Sequence, residues 1–187
     1  MKQHIIPALR LTFVCIVFFC VIYPLFIWGI AQAAPGKGEG ETVKINGKVA
    51  GYALEGQSFT KDNYFWGRPS AVSYNAAGSG GSNKGPSNPD YLKDVQSRID
   101  TFLVHNPGIK KEDIPSDLVT ASGGGLDPDI SPEAARIQVK RIAAVRKVSE
   151  GGILQLVQQN TQGPLLGLFG TEKVNVLKLN IALDALK

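Results

Sequence analysis

The chain has 187 residues, with 20 Lys and Arg against 16 Asp and Glu and a formal net charge of +4. Lys2 and Arg10 precede a long apolar run; with those two set aside, 18 basic residues face 16 acids, so the rest carries only +2 and has neither the basic footprint of a nucleic-acid binder nor a polybasic lipid-binding segment. Both cysteines, Cys15 and Cys20, lie inside the apolar run, which excludes a disulfide framework and a thiolate metal site from everything after it.

From Leu11 to Gly36 there is no Asp, Glu, Lys or Arg. About 20 apolar residues suffice to cross about 30 Å of hydrocarbon as a helix. Residues 1–10 therefore read as a short tail, 11–30 as a single transmembrane helix and 31–41 as a Gly-rich linker. Ala31-Gln32-Ala33 also fits the A-x-A pattern of a cleaved signal peptide, but the apolar run exceeds the roughly 7–15 residues of a signal h-region, which favours a retained anchor. Pro24 predicts a kink, and Tyr23 and Trp28 suit the water interface. A short tail stays in the cytoplasm while a long domain is translocated, so the expected topology is single-pass, N-terminus cytoplasmic and main domain extracytoplasmic.

Residues 42–187 read as one compact mixed α+β domain with long Gly/Asn/Ser-rich loops. Asn46-Gly47 between short β-branched runs predicts a type I′ hairpin. The stretch Tyr64–Pro89 carries three consecutive aromatics and then a Gly/Ser/Asn run; composition leaves order or disorder open for residues 76–87, whereas the aromatics favour order before them. Asn88 and Pro89 supply a cap and first residue for a helix with Leu92, Val95, Ile99, Phe102 and Leu103 on one face, stopping near His105-Asn106-Pro107-Gly108. Residues 114–132 hold three glycines and three prolines and predict irregular chain. Ser131 and Pro132 start a helix with Ala135, Val139, Ile142 and Val145 inward and Lys140, Arg141 and Lys147 outward. Ser149 starts another through Gln159, with Ile153, Leu154, Leu156 and Val157 on its apolar side. Finally, alternation of Leu177, Leu179, Ile181 and Leu183 with Lys178, Asn180 and Asp184 predicts a half-buried strand.

The catalytic inventory is sparse. Gly80–Ser87 fits G-x-x-x-x-G-K-[ST] except that Pro86 replaces the lysine, which removes both the phosphate-reaching charge and a cradling N–H. Ser58-Phe59-Thr60-Lys61 matches S-x-x-K without the companion motifs of that hydrolase class. His4 and His105 are the two histidines, too few with no available Cys for a triad or a His-based metal site. Asp127 and Asp129 around Pro128 suit an Asx-turn. The Gly-rich Val148–Gly152 run is accounted for by Ser149 as a helix cap.

Several motifs carry a resemblance: Phe65–Ala71, Tyr74-Asn75, Ser79–Asn83, Ser87-Asn88-Pro89, Asp117–Ser122, Gly125-Leu126-Asp127, Ile130-Ser131-Pro132, Val174-Asn175-Val176 and Leu179–Asp184. In this order they make the chain similar to the C subunits of Kdp-type potassium-transporting P-type ATPases, from the N-terminal span to the C-terminal element. Gly124, Lys84 and Asp129 depart from the usual family residues, all in loops. The resemblance implies a noncatalytic accessory and assembly subunit of an ATP-driven potassium importer in the bacterial plasma (inner) membrane. Its partners would be a channel-like potassium-binding subunit, the phosphorylated pump subunit and the bilayer, with no nucleic acid. A chaperone role that raises the pump's affinity for ATP is implied too, with ATP reached through the complex and no cofactor or metal assigned to this chain. Together with the enrichment of Tyr, Trp and Arg at interfaces, the resemblance makes Phe65, Trp66, Arg68, Tyr74, Asn75, Ser82, Asn83, Asn88, Thr120, Ser122 and Asp127 the candidate partner contacts. Two other readings are a nucleotide-binding regulator on the cytoplasmic side and a membrane-anchored serine hydrolase using Ser58.

Overall fold

The computed structural model describes residues 2–186 and divides into two compact units, Met1–Thr42 and Val43–Lys187. The first is a long apolar helix made of α1 (Lys2–Val17), a π-helical turn (Phe18–Ile22) and α2 (Tyr23–Ala31). The helix runs from Lys2, so it continues through the segment expected to be a tail; within Gln3–Ala31 an 18-residue window has a mean hydropathy of 2.6, and the span is long enough to cross a membrane. Pro24 explains the π turn. It has no N–H to give the carbonyl four residues back, and the helix widens just before it, with the Tyr23 N–H donating to the Phe18 carbonyl. A tight turn at Pro35–Gly38 follows, with Gly36 at φ 79°.

A hairpin of β1 (Thr42–Ile45), whose first residue ends the first unit, and β2 (Lys48–Tyr52) follows. Asn46 and Gly47 sit at φ 50° and 78°, the pair of positive values that a type I′ turn demands and that Asn-Gly predicts. Residues 53–88 contain no strand and only one short 3₁₀ turn, Ala76–Gly78. α3 (Pro89–His105) is capped as predicted, the Asn88 side chain accepting from the Asp90 and Tyr91 N–H groups at 3.0 and 3.1 Å. Phe102 is its buried residue, Val95, Ile99 and Leu103 are half-buried, and Leu92 is exposed.

Three short strands, β3 (Asp129–Ile130), β4 (Thr161–Gln162) and β5 (Lys173–Asn175), form an antiparallel sheet in the order β3-β5-β4, with Ile130 and Thr161 both paired to Val174. Between them run α4 (Pro132–Arg136), α5 (Val139–Arg146) and α6 (Glu150–Asn160), and α7 (Val176–Ala185) closes the unit. Ser131 and Ser149 cap α4 and α6 through the N–H groups of Ala134 and Gly152. Ile142, Ile153, Val157, Val174, Leu179 and Leu183 fill the core together with Phe65 from the irregular segment. The unit is thus mixed helix and sheet with every sheet pairing antiparallel.

Four expectations need correction. The predicted C-terminal strand is helix α7: Val176, Leu179 and Leu183 recur at helical spacing while Leu179 and Leu183 also fit the alternation, and the Asn175 side chain caps the helix by accepting the Lys178 N–H at 3.0 Å. The single helix expected after Ser131 is two, α4 and α5, with Ile137 and Gln138 between them. Within α5 the register differs too, since Arg141 is 6% exposed and Val145 50% exposed, reversing the predicted assignment of both. On α6, Leu154 likewise faces outward.

Candidate functional site

Within the irregular segment, Asp62–Trp66 leaves a turn closed by the Tyr64 N–H on the Lys61 carbonyl and belongs to no strand. A buried backbone without a ladder must find other partners for its N–H and C=O groups. Here helix side chains supply them. Arg141 donates from Nε to the Asp62 carbonyl at 3.2 Å and from Nη2 to the Tyr64 carbonyl at 2.8 Å, and Arg146 Nε donates to the Asn63 carbonyl at 2.7 Å. Asn180 closes a two-bond clamp on Phe65, accepting its N–H at 2.9 Å and donating to its carbonyl at 3.0 Å. Gln138 does the same for Trp66 at 2.8 and 3.2 Å and also accepts from Arg141 Nη2. Five consecutive carbonyls, 62 to 66, are therefore bonded by side chains of α5 and α7 and of the residue just before α5.

Aromatic stacking completes this frame. The Arg141 guanidinium lies 4.4 Å from the Trp66 ring centroid, and His105 and Phe102 meet the same ring edge-on at 5.0 and 6.3 Å. Burial pulls Arg141 down to about 10, opposed by the charge of Asp62, so it is still cationic near neutrality. His105 Nδ1 sits 2.8 Å from an Asp62 carboxylate oxygen, and Arg146 covers the Tyr64 ring while bonding Asp184 at 2.6 Å. The hydrogen bond from Tyr64 to Asp184, with burial and the Asp184 charge behind it, pushes the Tyr64 phenol up.

From this frame two irregular segments, residues 67–82 and 120–128, interlock backbone against backbone. The Ser122 N–H donates to the Pro69 carbonyl at 3.2 Å, and the Gly124 carbonyl accepts from the Gly80 N–H and from Ser79 Oγ at 3.0 and 2.9 Å. Arg68 pairs with Asp127 at 2.9 Å; Asp127 also closes the expected Asx-turn by accepting the Asp129 N–H. Gly125 shows how close the approach is. Its φ is +70°, and a Cβ there would lie 2.6 Å from Val72 and 2.8 Å from the Gly80 carbonyl oxygen. Tyr74 braces the first loop: its hydroxyl donates to the Arg68 carbonyl, its N–H donates to Ser70 Oγ at 2.8 Å, and burial with the Asp127 charge pushes its phenol up.

The candidate contact residues separate by depth. Phe65 is 0% exposed and belongs to the core, which corrects its placement on a partner surface; it holds that surface from below. Ser122 is buried as well, at 5%, with its backbone tying the two loops. Trp66, Arg68, Tyr74, Asn88, Thr120 and Asp127 are half-buried, while Asn75, Ser82 and Asn83 are exposed at the rim, Asn83 with a positive φ of 52°. Asn88 is occupied as the α3 cap, and Thr120 Oγ1 donates to the Ser116 carbonyl. Residues 76–87 are tied at Gly80 and again at Lys84, which reaches Asp94 at 2.9 Å; that bond draws the Asp94 carboxyl down.

The remaining motifs find no chemical setting. Ser58 and Lys61 are exposed in non-helical chain, so the lysine is not presented one helical turn from the serine. In the Walker-like run, Gly80 bonds the 123–125 turn and Gly81 abuts it, leaving no open cradle for a phosphate. Among the described residues no group of three His, Cys, Asp or Glu could hold a metal ion. Beside Arg68 a cleft of about 750 Å³ is lined by seven carboxylates, but Asp117, Asp127 and Asp129 already bond Ser131, Arg68 and Lys173.

The residues that sequence reasoning passed over are Gln138, Arg141, Arg146 and Asn180. Each is a polar residue on or beside an apolar helix stripe, which is the one signal that marks it.

The family described as "KdpC: K+-transporting ATPase, c chain" matches residues 5–185. The chain belongs to this family. It is 62% identical over 185 residues to the "Potassium-transporting ATPase KdpC subunit" of Flavobacterium psychrophilum, covering 99% of this chain and 100% of that protein. The subunit of the same name from Bacteroides thetaiotaomicron is 53% identical, with 97% and 98% covered, and that from Caldanaerobacter subterraneus subsp. tengcongensis 46% identical, with 98% and 95% covered. As a KdpC-family chain it is an accessory subunit of the potassium-transporting ATPase complex rather than its catalytic unit, and a membrane-associated one with, among the described residues, a single N-terminal candidate span.

Proposed function

We propose that this subunit assembles and steadies the transporter from outside the membrane. Residues 1–10 would lie on the cytoplasmic side, 11–30 would cross the bacterial inner membrane, 31–41 would link, and the domain 42–187 would dock on a channel-like potassium-binding subunit. The observation that carries this reading is the interlock of loops 67–82 and 120–128. Two glycine-rich segments are held as one ordered surface with its polar side chains Asn75, Ser82 and Asn83 at the rim and no catalytic constellation beneath. Such rigidity lowers the ordering cost of binding a protein partner.

Charged substitutions at the rim test it. Ser82→Arg and, separately, Ser82→Glu leave the fold intact, because that side chain is exposed, and abolish co-purification with the other subunits. Undiminished co-purification of a folded variant refutes the reading. Labelling of Ser97→Cys by a membrane-impermeant maleimide from the outer face alone supports the proposed orientation; labelling from the cytoplasmic face alone favours the cytoplasmic-regulator reading instead. The proposal extends to the phosphorylated pump subunit: by steadying the complex, this chain raises that subunit's affinity for ATP without binding nucleotide itself. Photoaffinity labelling of this chain by an azido-ATP in the intact complex overturns that last step.

A further inference from the structure

Between β4 and β5 the chain makes a tight hairpin whose tip is apolar on every side. Gly163–Thr171 carries no charged residue. Leu165, Leu166, Leu168 and Phe169 are exposed by 69%, 81%, 79% and 63%, more than a soluble surface ordinarily concentrates in one small loop. Leu166 and Gly167 both have positive φ, 56° and 71°, and this left-handed pair throws consecutive large side chains outward instead of folding them back.

The backbone of the tip is closed on itself. Leu165 and Phe169 exchange both of their hydrogen bonds at 2.8 and 3.0 Å, the Gly167 N–H donates to the Pro164 carbonyl at 3.0 Å, and the Leu168 N–H donates to the Leu165 carbonyl at 3.1 Å. Pro164 has no N–H to satisfy. With the N–H groups of Leu165, Gly167, Leu168 and Phe169 bonded within the tip, the cost of entering the interfacial region of a bilayer is lowered, since each unsatisfied backbone group is costly there. The covalent chain supplies the occupant. The apolar helix ends at Ala31 and β1 starts at Thr42, so the domain is tethered to the membrane by residues 32–41, whose full extension is at most about 35 Å. Tethering holds the tip at a high effective concentration of lipid.

We propose that the Leu165–Phe169 tip inserts into the bilayer leaflet on the domain's side, giving the domain a second membrane contact independent of any partner subunit. Phe and Leu enter the acyl boundary, and the strength of attachment follows the apolar area buried.

The test uses the full chain with Cys15→Ser, Cys20→Ser and Leu166→Cys, labelled with a nitrobenzoxadiazole fluorophore and reconstituted alone into phosphatidylcholine–phosphatidylglycerol vesicles. Val104→Cys, exposed by 78% on α3, is the comparison site. The expected result is blue-shifted emission at 166, quenched several-fold by lipids brominated on the acyl chain and little affected by aqueous iodide, with the reverse at 104. Water-like emission at 166 in the chain alone overturns the proposal, as does equal lipid quenching at both sites. A dry environment at 166 that arises only when the other transporter subunits are added also overturns it, by assigning the tip to a protein socket. Leu166→Asp with Leu168→Asp in the Phe169→Cys background supplies a second reading, since loss of lipid quenching with unchanged circular dichroism supports insertion.

Discussion

Replacing Asn180 with Leu isolates the clamp that holds the aromatic motif. Asn180 is 2% exposed and Phe65 0%, so no water takes over the two bonds, at 2.9 and 3.0 Å, that the side chain makes with the Phe65 backbone. Leucine matches the shape closely and leaves one N–H and one carbonyl unpaired in the core. Each unpaired buried group costs about 1–3 kcal/mol, and the added apolar burial returns roughly 1 kcal/mol, so the net loss is about 2–4 kcal/mol. Against a typical domain stability of about 5–15 kcal/mol that is a large fraction. At about 2–4 °C per kcal/mol for a domain of this size, the melting temperature falls by roughly 10 °C.

Urea unfolding followed by tryptophan fluorescence reads the effect, with Gln155→Leu on the exposed face of α6 as a control expected to stay within about 0.5 kcal/mol. Asn180→Asp sharpens the test. It keeps the acceptor for the Phe65 N–H, loses the donor and buries a charge, so the folded state takes up a proton more readily than the unfolded chain. Its stability therefore rises as pH falls toward the carboxyl range, opposite to the usual acid destabilisation. If Asn180→Leu unfolds within about 0.5 kcal/mol of the parent, the side-chain clamp is not what orders residues 62–66.

Gly125→Ala is expected to cost more than about 2 kcal/mol in the same assay, because the left-handed φ and the contacts with Val72 and Gly80 combine, whereas Gly123→Ala, with open space at its Cβ, stays near neutral. Arg141→Lys loses the fork that serves Asp62, Tyr64 and Gln138 together with the stacking on Trp66, a destabilisation of about 2 kcal/mol with red-shifted Trp66 emission. Tyr64 and Tyr74 hold their protons to higher pH in the folded state than in the unfolded one. Their contribution to stability is constant below about pH 10 and declines as pH rises beyond it, and absorbance titration of Tyr64→Phe and Tyr74→Phe should each show one late-ionising phenol fewer.

Local signals in the sequence located much of this fold. Asn46-Gly47, Asn88-Pro89, Ser131 and Ser149 act through contacts within a few residues, and each turn or cap formed where its residues call for it. Residues 176–185 were misread because Leu177, Leu179, Ile181 and Leu183 satisfy alternation while Val176, Leu179 and Leu183 satisfy a helix, and only the Asn175 cap separates the two. Arg141 was placed outward on the ordinary expectation for a charge, although an Arg with three acceptors and an aromatic face is stable inside. Phe65 was grouped with the surface because its neighbours Trp66 and Arg68 reach it. Of the three aromatics, however, the middle one is the fully buried one, its backbone held in the core by Asn180.

The long-range pairings lay beyond any local signal. Phe65 meets Asn180 across 115 residues and Trp66 meets Gln138 across 72. These bonds join a segment with no periodicity to polar residues that, taken alone, look misplaced on apolar helices. Each half explains the other. An irregular segment such as Asp62–Trp66 stays ordered without a strand partner when fixed donors and acceptors come to it, and a buried Asn, Gln or Arg is tolerated in a core when such a backbone receives it. The frame from which residues 67–82 depart is therefore set at positions 138, 141 and 180. Changes there should disturb partner binding as strongly as changes at the rim, and should do so through loss of loop order rather than loss of contact.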